Sequence, residues 1–493
     1  MPFTPEALPP TIPPFFQDGA DNVWTPIYAH ECAFGPEIFR DKMTNLIQNP
    51  NLNSSWLFRA DILCDYTDDE PSAAGDDDAA PLVAEIRGYH RQRTVVRRLI
   101  PRNEQRDAPM VQTCIFYQQT IANTSKLLLV YFPHCSSPQQ FPHYHPRVRG
   151  IAHLHEWDVS SNVGRVSVHF LAFPEEPIDD RLRRIGYHLL ETITKHGKGG
   201  LDGYVKRVNL DRVVPQKPFQ ERFALLKAKY ARSLFDMWAE KTDPGKHVFE
   251  DLSIAAFLIQ LWADMYKGKT FPGFVDIGCG NGLLVYILIQ EGFSGWGFDA
   301  RQRKSWEHYT TPVSCSPSGD SLAQRLLLPA IIPIDASNPL EGMELSGIHD
   351  GLFPEGTFII SNHADELTPW TPILATQSRC PFIMIPCCSH NLSADKFRAP
   401  PPRDKSKGKS QYASLVDWVT RISEDCGWQV ETEMLRIPST RNMCIIGRKR
   451  EEDNVFGDTD ELQSIIQEHG GAGGYHANVA KLLKAESHAT TKH

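Results

Sequence analysis

None of the eleven cysteines stands in a CxxC pair, so the sequence offers neither a zinc ribbon nor a disulfide framework, and reduced thiols in the cytoplasm are expected. No apolar run approaches the length that spans a bilayer, which argues against a membrane role. The opening MPFTPEALPPTIPPFF lacks the basic stretch and apolar core of a secretory signal. Positive charge is not in surplus either. A formal net charge of −9 excludes a polyelectrolyte binder along the whole chain, and no DNA partner is expected. What remains is the composition of an ordinary globular chain, 41% hydrophobic and 23% charged over 493 residues. That length leaves room for about two to four domains.

Charge is distributed in blocks. Residues 65–78, DYTDDEPSAAGDDD, hold seven carboxylates and no cation, a composition that cannot assemble a core, and a disordered acidic loop over 65–81 is expected. The following AEIRGYHRQRTVVRRLIPRNEQR carries seven arginines, among them Arg91, Arg93, Arg97 and Arg98. Such a strip could grip phosphate or form the solvated face of a strand pair. The cluster His134, His143, His145, His153 and His155, with Cys135, lacks the tight paired spacing of zinc sites, and no metal is expected.

Strands are predicted over 126–132, 149–157 and 164–173, followed by the helical spacing of IDDRLRRIGYHLLETITKHG, which makes the first half α+β. Two long helical patterns follow from Phe219. The domain boundary is expected near Lys217, with residues 1–217 as the α+β region, 218–450 as a second domain and 451–493 as a tail without assigned chemistry.

The second domain opens on FVDIGCGNGLLVYILIQEG, read as strand, glycine turn and helix. Such a turn brings bare backbone N–H groups and a helix N-terminus close to a ligand. No lysine follows Gly282, which disfavours a phosphate cradle for nucleoside triphosphates. A dinucleotide fold prefers GxGxxG, whereas here Gly278, Gly280 and Gly282 form GxGxG behind Asp276. This pattern resembles motif I of class I S-adenosylmethionine methyltransferases, which implies Asp276, Gly278, Cys279, Gly280, Asn281 and Gly282 as cofactor-binding residues. Asp299 ends the next strand, GWGFDA, seventeen residues after Gly282, where an acid can accept both ribose hydroxyls. A third strand is predicted in AIIPIDAS. The resemblance places Asp335 and Ala336 near the adenine amino group. A fourth, FIISN, delivers Asn362 to the same rim, and PFIMIP, GWQVETEML and NMCIIGRKR complete a seven-stranded Rossmann-like sheet.

Longer blocks are more specific. KYARSLFDMWAEKTDPGKHVFEDLSIAAFLIQLW, the glycine segment with FDARQRKSW, and SNHADELTPW with PFIMIPCCSH resemble the tRNA (uracil-2'-O)-methyltransferases acting on uridine-44 of serine tRNAs. The resemblance implies ribose 2'-O-methylation with S-adenosylmethionine as methyl donor and serine tRNA as partner. The arginine strip makes the N-terminal region a candidate for tRNA binding. Methyl transfer to a hydroxyl needs alignment and help with one proton. Asp365 is the first candidate for that base or orienting group, with His363 and Glu366 beside it; Glu366 could instead cap the helix beginning near Thr368. The lysines of a Lys-Asp-Lys-Glu set have no evident counterparts. Cys387 and Cys388 are read as shaping the substrate rim, since a ribose oxygen needs no thiolate adduct. The basic stretch after them, with Arg398, Arg403, Lys405, Lys407 and Lys409, could hold RNA phosphates or be a solvated insertion. The alternatives are methyl transfer to another RNA, a protein or a small molecule, and a non-catalytic RNA-binding partner retaining the fold.

Overall fold

The computed structural model describes residues 3–67, 80–103, 106–203, 210–333, 347–405, 410–450 and 459–490. The chain divides into two units, 1–207 and 208–493.

The first unit is one antiparallel sheet with two helices. Its elements are β1 (Glu6–Ala7), β2 (Thr25–Cys32), α1 (Pro36–Gln48), β3 (Leu57–Thr67), β4 (His90–Pro101), β5 (Met110–Ile121), β6 (Thr124–Pro133), β7 (Gly150–Asp158), β8 (Val163–Leu171) and α2 (Asp180–Leu201). The eight strands run in the order β1-β2-β8-β7-β6-β5-β4-β3. One sheet face buries Phe116, Leu129 and Val168 against Phe39 and Met43 of α1 and Leu190 and Ile193 of α2, as period-2 alternation requires of a half-covered sheet.

Two expectations for this unit are corrected. Asp65, Tyr66 and Thr67 are not loop but the end of β3, paired with β4, and Asp65 holds Arg93 at 2.6 Å; residues 68–79 lie outside the described ones. Arg97 is not a phosphate contact, because its strand turns it inward. It is buried, donates to Gln112 Oε1 from Nε and Nη2, and donates from Nη1 to the Leu46 and Ile47 carbonyls in the last turn of α1. Arg91, Arg93 and Arg98 are half-buried on the same strand. His153 and His155 are core residues: the His155 ring stacks on Phe39, its Nε2 meets the Phe34 carbonyl, and burial pulls its pKa down to about 4.

The second unit holds α3 (Gln216–Asp236), α4 (Pro244–Met265), β9 (Phe274–Ile277), α5 (Leu283–Gln290), β10 (Gly295–Asp299), α6 (Trp306–Tyr309), β11 (Leu322–Gln324), β12 (Leu326–Leu327), β13 (Ile348–His349), β14 (Phe358–Asn362), α7 (Thr371–Gln377), β15 (Phe382–Ile385), α8 (Gln411–Asp425), β16 (Trp428–Met434), β17 (Met443–Arg450), α9 (Thr459–Glu468) and α10 (Tyr475–Thr490). It begins ahead of Lys217 because the Glu433 carboxylate on β16 accepts the backbone N–H groups of Asp211, Val213 and Val214.

Seven strands form the sheet β11-β10-β9-β14-β15-β17-β16, parallel except for β17, which is antiparallel to both neighbours. Both faces are covered, and alternate residues sort to opposite sides. On β15, Phe382 and Met384 join α7 and α8, whereas Ile383 and Ile385 join α3, α4 and α5. This explains why its strands read as continuous apolar runs.

The third strand is Leu322–Gln324, not AIIPIDAS: Ala330 and Ile331 form a turn, and Asp335 and Ala336 lie outside the described residues. The segment after residue 450 is not a separate tail. Leu462, Ile465 and Ile466 of α9 and Tyr475, Val479 and Ala480 of α10 are buried in the same core as Trp370 and Leu415.

Candidate active site

Gly278, Gly280 and Gly282 all adopt positive φ, at 73°, 54° and 76°. The turn is pinned from behind: the Gly278 and Cys279 N–H groups donate to the Phe298 carbonyl at 2.8 and 2.9 Å. Ser305 Oγ and Trp306 Nε1 donate to the Asn281 and Gly280 carbonyls. A Cβ on Gly282 would sit 2.4 Å from Leu322 Cδ1, whereas nothing lies within 4 Å of one on Gly280. Gly282 therefore answers to packing, and Gly280 to open space.

That space is a cavity of about 700 Å³ at the carboxyl ends of β9, β10 and β14. The Asp299 carboxylate accepts the Gly280 N–H on one oxygen and the Arg301 N–H on the other, each at 3.0 Å, leaving lone pairs on both. Asp276 is 1% exposed, and its Oδ1 has no hydrogen-bond partner among the described residues. Burial, then repulsion from Asp251 and Asp299, pushes its pKa well above the usual carboxylate range. Asp251 of α4 also lines the cavity. Its carboxyl is pushed up to about 8, first by burial and then by Glu250. A cationic group or N–H donor from a ligand would draw these protons off and pair with the acids.

Opposite the turn stands the segment after β14. Ala364 packs against Gly278, bringing Asn362, His363, Asp365 and Glu366 to the rim. His363 and Asp365 both hold left-handed backbone, at φ 52° and 45°, a conformation uncommon outside glycine and frequent at functional sites. His363 Nε2 lies 3.2 Å from Glu250 Oε1. Cys387 donates its S–H to Asp365 Oδ1 at 3.0 Å, and burial raises its thiol pKa, so it is held neutral. Arg441 donates to the Cys387 carbonyl and approaches Cys388 Sγ at 3.5 Å. Glu366 faces the cavity and also stands in the first turn of the 3₁₀ segment Asp365–Trp370, which starts without a side-chain cap bond.

The structure thus brings together Asp276, the glycine turn, Asp299 and the Asn362–Glu366 segment. Of the basic stretch, Arg398 and Lys405 are exposed, but Arg403 is occupied by Asp417 at 3.1 Å and Glu424 at 2.7 Å, and Lys407 and Lys409 lie outside the described residues. Sequence reasoning missed Glu250 and Asp251, although two acids inside the apolar run of α4 are a readable anomaly. It also missed Arg303, Arg441 and the cavity face of α10, which no local pattern marks.

The residues present fit S-adenosylmethionine. Buried acids answer its positive charge, Asp299 retains acceptor capacity for a ribose diol, and the bare Gly280 leaves room beside the backbone. Residues 4–207 match the family described as "TRM44-like, N-terminal bet v1-like domain", and residues 213–321 that described as "Predicted AdoMet-dependent methyltransferase". The chain is 52% identical to the tRNA (uracil-O(2)-)-methyltransferase of Neurospora crassa over 98% of both chains. It is 39% identical to that of Schizosaccharomyces pombe, over 94% of this chain and 93% of the other. With that of Saccharomyces cerevisiae the identity is 36% over the same shares. Bearing both family domains and similarity along nearly its whole length, the chain belongs to the tRNA (uracil-O(2)-)-methyltransferase family.

Proposed function

We propose that this protein methylates the ribose 2'-oxygen of uridine-44 in serine tRNA, in the cytoplasm, through a Rossmann-like class I methyltransferase domain. The reading is supported by one arrangement above all: Asp276, the glycine turn and Asp299 line the same cavity as the Asn362–Glu366 segment. Full-length relatives named for tRNA and uracil O(2) support the acceptor, and eleven free cysteines suit a reducing compartment.

S-adenosylmethionine supplies an electrophilic methyl group. The chain's own residues do the rest. Asp299 would take the ribose hydroxyls, and Asp276 with Asp251 would answer the positive charge of the donor. Asp365 accepts or orients the proton of the acceptor hydroxyl, with His363 and Glu366 beside it, and the Cys387 thiol fixes one Asp365 oxygen so that the other is presented. His363 is in turn held by Glu250. DNA has no 2'-hydroxyl to accept the methyl group. Exposed Arg398 and Lys405 follow β15 and offer phosphate contacts to the incoming tRNA.

The test is transfer of labelled methyl from S-adenosylmethionine to serine tRNA transcript, with a second transcript carrying 2'-deoxyuridine at position 44. Label on the first alone is expected. Label on both, or on neither while the donor binds, overturns the proposal.

A further inference from the structure

The sequence after Arg450 carries no recognisable motif, and the match to the methyltransferase family description ends at residue 321. Yet α10 forms part of the cavity wall. Tyr475, Asn478, Val479 and Leu482 line it, at the i, i+3, i+4, i+7 spacing of one helix face. The helix is fixed there by side-chain bonds to two loops of the site. Tyr475 Oη donates to the Leu327 carbonyl at 3.1 Å, and Asn478 Nδ2 donates to the Ser393 carbonyl at 2.8 Å. The Tyr475 ring also stands edge-on to Trp370 at 5.5 Å.

The position of this wall along the sheet determines what it faces. Asp299 ends β10, and its register partner on the outer neighbour β11 is Gln324. Leu326 and Leu327 follow directly, tied to the same place by the Arg325 N–H donating to the Asp299 carbonyl at 3.0 Å. Beyond Asp299, away from the glycine turn, the cavity is therefore lined by Ala300, Arg325, Leu326 and Leu327 on the sheet side and by Asn478, Val479 and Leu482 on the α10 side. The acid that takes the ribose stands next to a slot walled by Leu326, Leu327, Val479 and Leu482 with Arg325 and Asn478 beside them, and the group a nucleoside carries on its ribose is a flat base with weakly polar faces and a polar edge.

We propose that α10 forms one wall of the subsite for the donor's adenine, with Val479 and Leu482 supplying its apolar contacts opposite Leu326 and Leu327. The proposal rests on the reading of this cavity as the donor site. Segment 459–490 is then part of the donor-binding machinery, and donor affinity depends on a helix remote in sequence from the glycine turn.

Calorimetric titration of the full chain with adenosine and with S-adenosylmethionine tests this. Val479→Trp fills the slot and is expected to weaken both ligands at least roughly tenfold. Leu482→Ala removes apolar area from a half-buried position and is expected to weaken both by roughly three- to tenfold. Affinity for serine tRNA should change by less than about twofold in each, since the slot is filled by the donor alone. Thermal unfolding checks that each variant folds, and if Val479→Trp does not, Leu482→Ala carries the test. Unchanged adenosine and donor affinities in the folded variants overturn the proposal. Loss of donor affinity with adenosine binding intact also overturns it, by placing α10 at the methionine end. Failure of the unaltered chain to bind either ligand would instead overturn the reading of the cavity.

Discussion

His363 Nε2 lies 3.2 Å from Oε1 of Glu250, a buried carboxylate 113 residues earlier on α4. A histidine in left-handed backbone at the cavity rim is thereby held by a buried acid that lines the same cavity. Glu250→Gln and His363→Ala are each expected to lower kcat by roughly 10- to 100-fold with little change in donor KM, and the double variant to be no worse than His363→Ala. Steady-state kinetics on the three variants measures the coupling. Additive losses would separate the two residues.

Asp365 and Cys387 make opposite predictions. Asp365→Asn is expected to reduce methyl transfer by roughly 10²- to 10⁴-fold while donor affinity changes less than about threefold. Cys387→Ala removes a thiol that burial keeps neutral, and activity is expected to stay within about tenfold of the parent. A thousandfold loss on Cys387→Ala, in a variant that still binds donor, would reveal thiolate chemistry.

Asp251 links stability to pH. Its folded carboxyl titrates near 8 against an ordinary value of 3.8, so between those values the folded state binds more protons than the unfolded state. The stability this contributes is complete at about pH 4, falls as pH rises, and is gone above about pH 8, a swing on the order of a few kcal/mol. Asp251→Asn cannot ionise. Its melting temperature should match the parent near about pH 4 and exceed it by several degrees near about pH 8. A constant difference across the range would refute the linkage.

Gly280 and Gly282 share a left-handed conformation but not an environment. Gly282→Ala adds a Cβ against Leu322 and is expected to cost about 2–4 kcal/mol of stability. Gly280→Ala meets only cavity space, so its backbone strain of about 1–2 kcal/mol should be accompanied by a larger loss of donor affinity. Chemical denaturation and donor titration on both variants distinguish the two roles.

The strand, glycine turn and helix at Phe274–Gln290 and the acid ending β10 were legible because each is a short-range pattern: a β-branched or aromatic run, residues that tolerate positive φ, a helical period. The apolar runs of β14, β15 and β17 likewise fit a sheet that the structure buries on both faces. Those local regularities also located His363, Asp365 and Glu366 at a strand's carboxyl end. AIIPIDAS misled for the same reason, since its residues suit a strand but Leu322–Gln324 holds the edge position beside β10.

Spacing by itself marked the second unit as alternating strand and helix around a glycine turn, because that follows from backbone sterics and periodicity within a few dozen residues, and the resemblance of that turn to a methyltransferase motif singled out the residues nearest it. Only the tertiary structure decided that Arg97 faces the end of α1, that Arg403 is spent on Asp417 and Glu424, that Glu250 and Asp251 belong to the cavity, and that α10 closes one side of it. Each of these depends on which of several neighbours a side chain meets across tens to hundreds of residues, and burial and charge pairing are properties of that meeting rather than of the residues alone.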